Sequence, residues 1–569
     1  MKSFLGAFFG TLAAFAVVLL GLLGVLARRD RPPRVMDGST LILAVGDDPS
    51  DYPGSTVSFG GPSGTSQTEL LSLLEKAAVD DRVSRVVLNL APFQGGYAKA
   101  EELRDAIHRF RGSGKPAIAW SAFMTPKTYS VAAACDSIYM VPDGPFVFPG
   151  FSSTRSFYKE ALDKLGVTVD VDRIESYKSA AEATQRRDMS TESREMAARL
   201  LGDQVDALRA ALEKDRKLSP ADFDSLLRGA VFLAGNAESA GWIDGVRHYE
   251  DLVAVYGGHD LKRPRLVSAE KYVDVTAGRR SFGGGRKIAV VHGQGVIASG
   301  RSAGSPVFGD ILGSDSIIRE LRRVASDAKV AAIVLRLDTP GGETWASDAI
   351  GNEVRRVAAK KPVVVSMGDA CASGGYSIAY RATKVVALPS TLTGSIGSFT
   401  GKANLRGLYE KLGITHDGVD IGPHAGLIGV LRSWTPEEKA IIRARHWESY
   451  NAWIADIAKS RGLSTAELDS MARGRVWTGR EALPRKLVDR LGGLNVAIAE
   501  ARAQAGIDST EKLRIEHFPK PRRPLEALLD GDWDALASAA AGRAAENFAA
   551  TLVRLSRVES WAIMDVPAP

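Results

Sequence analysis

Residues 72–90 read SLLEKAAVDDRVSRVVLNL, and residues 318–337 read IRELRRVASDAKVAAIVLRL. In both, a helical stretch runs into a β-branched apolar run. Each is followed by a Gly-Gly pair, Gly95-Gly96 and Gly341-Gly342, then by a helical stretch, Lys-Pro and an apolar strand, KPAIAW from 115 and KPVVVS from 361. The copies also close alike, RGAVFLAGNAESAGWIDGV from 228 and RGRVWTGREALPRKLVDRL from 473. A period of roughly 240 residues marks a duplicated domain, not a solenoid. Short strands alternating with helices argue βαβ units, so the expected fold is α/β, two tandem domains with parallel sheets.

The copies diverge at two places, in opposite senses. The second has CASGGYSIAY, with Ser373 between Ala372 and Gly374-Gly375; the first has MTPKTYSVAA, with Pro126 or Lys127 at the corresponding place. After the shared KLG turn the first carries Lys178, in RIESYKSAAEA, where the second has Ala425 beside His424. One copy lost a serine and kept a lysine; the other did the reverse.

The expected layout is an N-terminal transmembrane anchor (1–28), a linker (29–40), the first repeat (41–275), a Gly/Arg linker (276–286), the second repeat (287–509) and a tail (510–569) belonging to neither. The anchor is the uncharged run FLGAFFGTLAAFAVVLLGLLGVLA, residues 4–27. As a helix it measures about 36 Å, enough to cross a bilayer with some tilt. It is longer than the apolar core of a cleaved leader and runs straight into Arg28-Arg29. Those arginines, taken alone, favour a body on the cytoplasmic side. Residues 435–460 read as a long amphipathic helix capped by Thr435, with Pro436 first.

A net charge of +6 over 569 residues, with no basic stripe interleaved with aromatics, argues against nucleic acid. Two cysteines, Cys135 and Cys371, exclude a disulfide framework and offer no metal-type spacing. Cys371 reads as a small core residue in preference to a rival nucleophile.

Ser373 is expected at a strand–turn–helix junction, where backbone N–H groups and the helix dipole favour developing negative charge. The amides of Gly342 and Gly374 are the candidate oxyanion donors. A serine needs a base. His292 and His424 have no acidic partner that the sequence singles out. A buried lysine loses its proton more readily, and Lys178 is the candidate, reaching Ser373 through pseudo-twofold packing of the repeats. Ser179 is expected to help hold it. Ser395, on the Gly-flanked turn GSIGS, is the proposed orienting hydroxyl.

These segments, YKSAAEATQRRDMS around Lys178, DTPGG at Gly341-Gly342, ASGGYSIA at Ser373 and LTGSIG at Ser395, resemble the signal peptide peptidase A family in its tandem-domain form, over about residues 40–510 and in that family's order. The resemblance implies a Clp-protease and crotonase type of fold. It implies a membrane-anchored serine endopeptidase with a Ser/Lys dyad that degrades remnant signal peptides and other apolar peptides. It carries Ser373 over as nucleophile, Lys178 as general base, Gly342 and Gly374 as oxyanion donors and Ser395 as orienter. It further implies a homotetramer, a bacterial inner-membrane location with the body outside the cytoplasm, and no cofactor or metal. Thr339 stands where the family often has Ser. The rival readings are a crotonase-like acyl-CoA lyase or hydratase, which would need an acidic residue at the site, and a non-catalytic membrane scaffold.

Overall fold

The computed structural model describes residues 35–46, 49–52, 65–174, 176–257, 265–273, 275, 285–305 and 309–520. The anchor (1–28), half of the first linker, most of the second and the tail beyond 520 lie outside the described residues. Among those described, no helix is long and apolar enough to cross a membrane.

The first repeat begins with β1 (Ser39–Val45), α1 (Gln67–Val79) and β2 (Val83–Leu90). Helix α1 starts where it does because Ser66 and Glu69 cap each other's backbone N–H groups. Its leucines 70, 71, 73 and 74 are buried. Then come α2 (Tyr97–Arg111), β3 (Ala117–Ser121), α3 (Pro126–Ala133) and β4 (Ser137–Met140). An arm, β5 (Thr168–Arg173), leaves the sheet, and β6 (Gly245–Val246) and β7 (Leu266–Ser268) return to it. The sheet order is β6-β4-β3-β2-β1-β7, parallel throughout.

The second repeat runs β8 (Arg286–Gln294), α4 (Ser314–Ser326), β9 (Val330–Thr339), α5 (Thr344–Ala358), β10 (Val363–Ala372), α6 (Gly374–Ala379) and β11 (Lys384–Ala387). It continues with β12 (Leu392–Gly394), β13 (Phe399–Asn404), α7 (Pro436–Arg461), β14 (Val476–Thr478), β15 (Arg490–Leu491) and β16 (Leu513–Phe518). Its spine, β15-β11-β10-β9-β8-β16, is parallel and repeats the first order; β12 extends β10, and β14 lies antiparallel to β12. Val363, Val364 and Val365 are all fully buried, as expected where helices cover both faces of a parallel sheet.

The duplication extends to single hydrogen bonds. Tyr129 donates its hydroxyl proton to the Trp242 carbonyl at 2.8 Å, and Tyr376 does the same to Leu487 at 3.0 Å. The carboxylates of Asp244 and Asp489 accept from the Ile138 and Val385 amides, both at 2.7 Å.

Two expectations are corrected. Residues 513–518, read as part of a tail outside the repeats, form β16, the counterpart of β7. Their alternating LRIEHF pattern beside a basic break hid an edge strand. The turn expected between strand and helix at Ser373 has no residues before the serine: GDACA, residues 368–372, belongs to β10, which runs through to Ala372.

The repeats interlock. Arm β5 of the first pairs antiparallel with β13 of the second, Arg173 opposite Phe399 and Thr168 opposite Asn404. At a second contact between the repeats, the fully buried Arg336 on β9 binds Asp51 and Glu102 of the first repeat, at 2.9 and 2.8 Å. Burial alone would raise the Asp51 carboxyl, but Arg336 and His292 hold it well below the usual carboxylate range.

Candidate active site

Strand β10 ends at Ala372 and α6 begins at Gly374, so the chain reverses on Ser373 alone. Its backbone sits at φ +54°, ψ −114°, a strained conformation for a residue with a side chain. The Ser373 amide donates to the Gly394 carbonyl at 2.9 Å, and the Ser373 carbonyl accepts from Ser377 at 2.9 Å to start the helix. Every other residue of that turn is buried; Ser373 is half-buried. A tight strand-to-helix turn of this kind presents a hydroxyl beside free helix-start amides.

The loop after β9 closes over it. Gly341, at φ +107°, leaves no room for a side chain: a Cβ there would stand 2.8 Å from the Ser373 Cβ. The Ile297 amide donates to the Gly341 carbonyl and its own carbonyl accepts from Glu343, both at 2.9 Å, so the loop is bracketed around Gly342. The Gly342 nitrogen lies 3.2 Å from where a Gly374 side chain would begin. Among the described residues neither of these two amides has a protein acceptor.

Lys178 arrives from the other repeat. Beyond β5, the Ile174 amide donates to the Ser398 carbonyl and the Tyr177 amide to the Arg473 carbonyl, both at 3.0 Å. Lys178 is 5% exposed. Its Nζ lies 2.9 Å from Ser373 Oγ, 3.0 Å from Ser395 Oγ and 3.1 Å from the Ser395 carbonyl oxygen. Burial pulls the amine down to about 8, and among the described residues no acidic partner holds it up. Ser395, itself at φ +50°, is fixed by its backbone N–H, which donates to the Arg475 carbonyl at 2.8 Å. A buried amine with little hold on its proton, facing a hydroxyl and two free amides, can support nucleophilic attack on a carbonyl and hold the resulting oxyanion.

The other candidates fall elsewhere. His292 contacts Asp51 at 3.4 Å and His517 at 2.9 Å in the inter-repeat network; His424 lies near Glu437 and Glu438. Cys371 is fully buried, and burial pushes its thiol up, away from the thiolate. Ser179 does not bind the Lys178 amine; its own amide donates to the Tyr177 carbonyl.

The model for Peptidase family S49 matches residues 109–259 and 355–508, one segment in each repeat and together more than half the chain. The chain belongs to peptidase family S49. The chloroplastic serine protease SPPA of Arabidopsis thaliana is 32% identical over 508 residues, covering 88% of this chain and 74% of its own length. Protease 4 of Salmonella typhi is 31% identical, covering 81% and 75%, and Protease 4 of Haemophilus influenzae 31%, covering 77% and 73%. The resemblance to the signal peptide peptidase A family is borne out, and this S49 peptidase is a serine-type endopeptidase.

Two features of the S49 site were missed in the sequence. Gly474 touches the Lys178 backbone, and nothing in RGRVW distinguishes that glycine from a turn. The second is the glycine loop of the first repeat that corresponds to Gly341-Gly342. There the Gly96 and Lys99 amides donate to the two oxygens of Asp369 from the second repeat, each at 2.8 Å. Lys127, at or beside the position that corresponds to Ser373, donates to the Gln94 and Gly95 carbonyls at 2.8 and 2.7 Å. Lys99 Nζ binds Asp338 at 3.0 Å and Asp369 at 3.7 Å. Burial and then Asp338 push the Asp369 carboxyl up, against the pull of Lys99. A partner 270 or more residues away has no signature in a single sequence.

Proposed function

We propose that this S49 peptidase works through a Ser373/Lys178 dyad closed within one chain. The observation that carries the reading is the 2.9 Å approach of a buried, easily deprotonated amine to the Ser373 hydroxyl. Neutral Lys178 takes the hydroxyl proton as Oγ bonds to the peptide carbonyl carbon. The amides of Gly342 and Gly374 hold the oxyanion. The C–N bond then breaks, and Lys178 passes its proton to the leaving amine. A water molecule, deprotonated by the same amine, releases the acyl group and regenerates Ser373. Ser395 keeps the amine aimed.

The substrates in this reading are apolar peptides near a bilayer, remnant signal peptides among them, and residues 1–28 anchor the enzyme with its body outside the cytoplasm of a bacterial inner membrane. The uncharged run at 4–27 supports the anchor. Each repeat is a Clp-protease/crotonase-like unit; parallel sheets with glycine loops at strand ends support that likeness. The enzyme assembles as a homotetramer. In support, Val419, Ile421 and Ile428 are about nine-tenths exposed in one segment, more apolar surface than a lone subunit ordinarily shows water.

The test uses full-length protein in detergent and a peptide with an apolar core. Ser373→Ala and Lys178→Ala each abolish cleavage while the fold persists, and a serine-directed phosphonate labels wild type but not Ser373→Ala. Turnover by Lys178→Ala overturns the dyad.

A further inference from the structure

Neither Lys178 nor Ser395 stands on a regular element. Lys178 lies between β5 and a single 3₁₀ turn, and Ser395 on the connection from β12 to β13. Reactive groups held on loops need outside support to keep their geometry to a fraction of an ångström. A hydrogen-bonded chain that touches no reacting atom joins the two segments.

His446, on α7, places Nε2 2.7 Å from Ser398 Oγ and Nδ1 2.6 Å from Asp172 Oδ2. A carboxylate only accepts, so Nδ1 carries the proton, and in the neutral ring Nε2 accepts from the serine hydroxyl. The ring is 8% exposed and Asp172 11%. Asp172 lies on β5, six residues before Lys178, and Ser398 lies three residues after Ser395. Both flank the point where Ile174 donates to the Ser398 carbonyl and where Arg173 faces Phe399. Among the described residues the charged groups in contact with this chain are Asp172 itself and Arg443, one turn away on α7, which reaches the other Asp172 oxygen at 3.2 Å. Although the order Ser–His–Asp matches a nucleophilic triad, Ser398 leads into strand β13 and not a helix, so no helix-start amides stand beside its hydroxyl to receive an oxyanion.

We propose that Asp172, His446 and Ser398 form a positioning clamp, in which α7 fastens the lysine-bearing arm of the first repeat to the Ser395 turn of the second and so fixes the approach of Lys178 to Ser373. The clamp rests on Lys178 acting as the base for Ser373. Its residues act through Lys178 and Ser395 without meeting the substrate. Breaking it lets the two segments separate and water reach the amine.

The experiment compares full-length Ser398→Ala, His446→Ala and Ser398→Thr with wild type, measuring kcat, KM, the pH dependence of kcat/KM and thermal unfolding. The two alanine variants are expected to lose about tenfold or more in kcat with KM within about twofold, since small misplacements of reacting groups cost rate more than binding. The acid limb of their profiles moves to higher pH as the rehydrated amine regains its proton, and Ser398→Thr, which keeps the hydroxyl, restores most of the rate. Unchanged kcat and acid limb in both alanine variants overturn the clamp, as does a rate loss that follows the melting temperature with the acid limb fixed. Lys178→Ala, run alongside, separates the two levels. If it is active the dyad itself fails; if it is dead while the alanine variants match wild type, only the clamp fails.

Discussion

Gly474 and Lys178 press backbone to backbone: a Cβ on Gly474 would lie 2.4 Å from the Lys178 nitrogen and 2.5 Å from its Cα. Gly474 also sits at φ +83°, and its amide donates to the Ile396 carbonyl at 2.7 Å. The glycine thus links the lysine segment to the GSIGS turn. Gly474→Ala is expected to push Lys178 away and lower kcat/KM by about 100-fold, the scale of a 1 Å displacement at a reacting group. Peptide hydrolysis by the folded variant checks this; near-normal turnover contradicts it.

Activity should climb with pH through about 8. Burial lowers the Lys178 amine to about that value, and only its neutral form can take the serine proton. Below it, kcat/KM falls about tenfold per pH unit as the ammonium accumulates. Lys178→Arg is expected to be inactive at every pH, because a guanidinium keeps its proton. A pH–rate profile already flat below about pH 6 would exclude Lys178 as the titrating base.

Ser395→Ala removes one of three contacts to the amine and leaves the backbone carbonyl at 3.1 Å. A partial loss follows, about tenfold in kcat, in contrast to the complete loss on removing Lys178. Side-by-side steady-state kinetics of the two variants test the ranking.

Arg336→Met should cost about 3–5 kcal/mol of stability, since it strands two buried carboxylates without a counter-charge. Asp51 and Glu102 are 2% and 1% exposed, so water cannot replace the guanidinium. Denaturant titration measures the loss; a change under about 1 kcal/mol would mean that the carboxylates find other partners.

That Ser373 and Lys178 belong together was legible because the duplication supplies its own control: what one copy lacks at those positions, the other retains, while Ser395, which also meets the Lys178 amine, was read from its Gly-flanked turn. The parallel sheets were legible from β-branched runs such as Val363–Val365. What was not legible depends on pairing between distant segments. β16 is an edge strand whose alternation is ordinary, so only its place beside β8 identifies it. Asp369 at Gly96 and His446 between Asp172 and Ser398 join residues with no local pattern. Gly474 reads like any turn glycine until Lys178 lies against it.

The carboxylate of Asp369, seated on the Gly96 and Lys99 amides, fills the first repeat's counterpart of the Gly342 loop. Restoring a hydroxyl at Pro126 would leave the anion-binding amides occupied from within the molecule, and evicting Asp369 would loosen the seam between the two halves. The glycine loop that faces Ser373 in the second repeat thus serves in the first as a joint, its amide spent on holding the two halves in register.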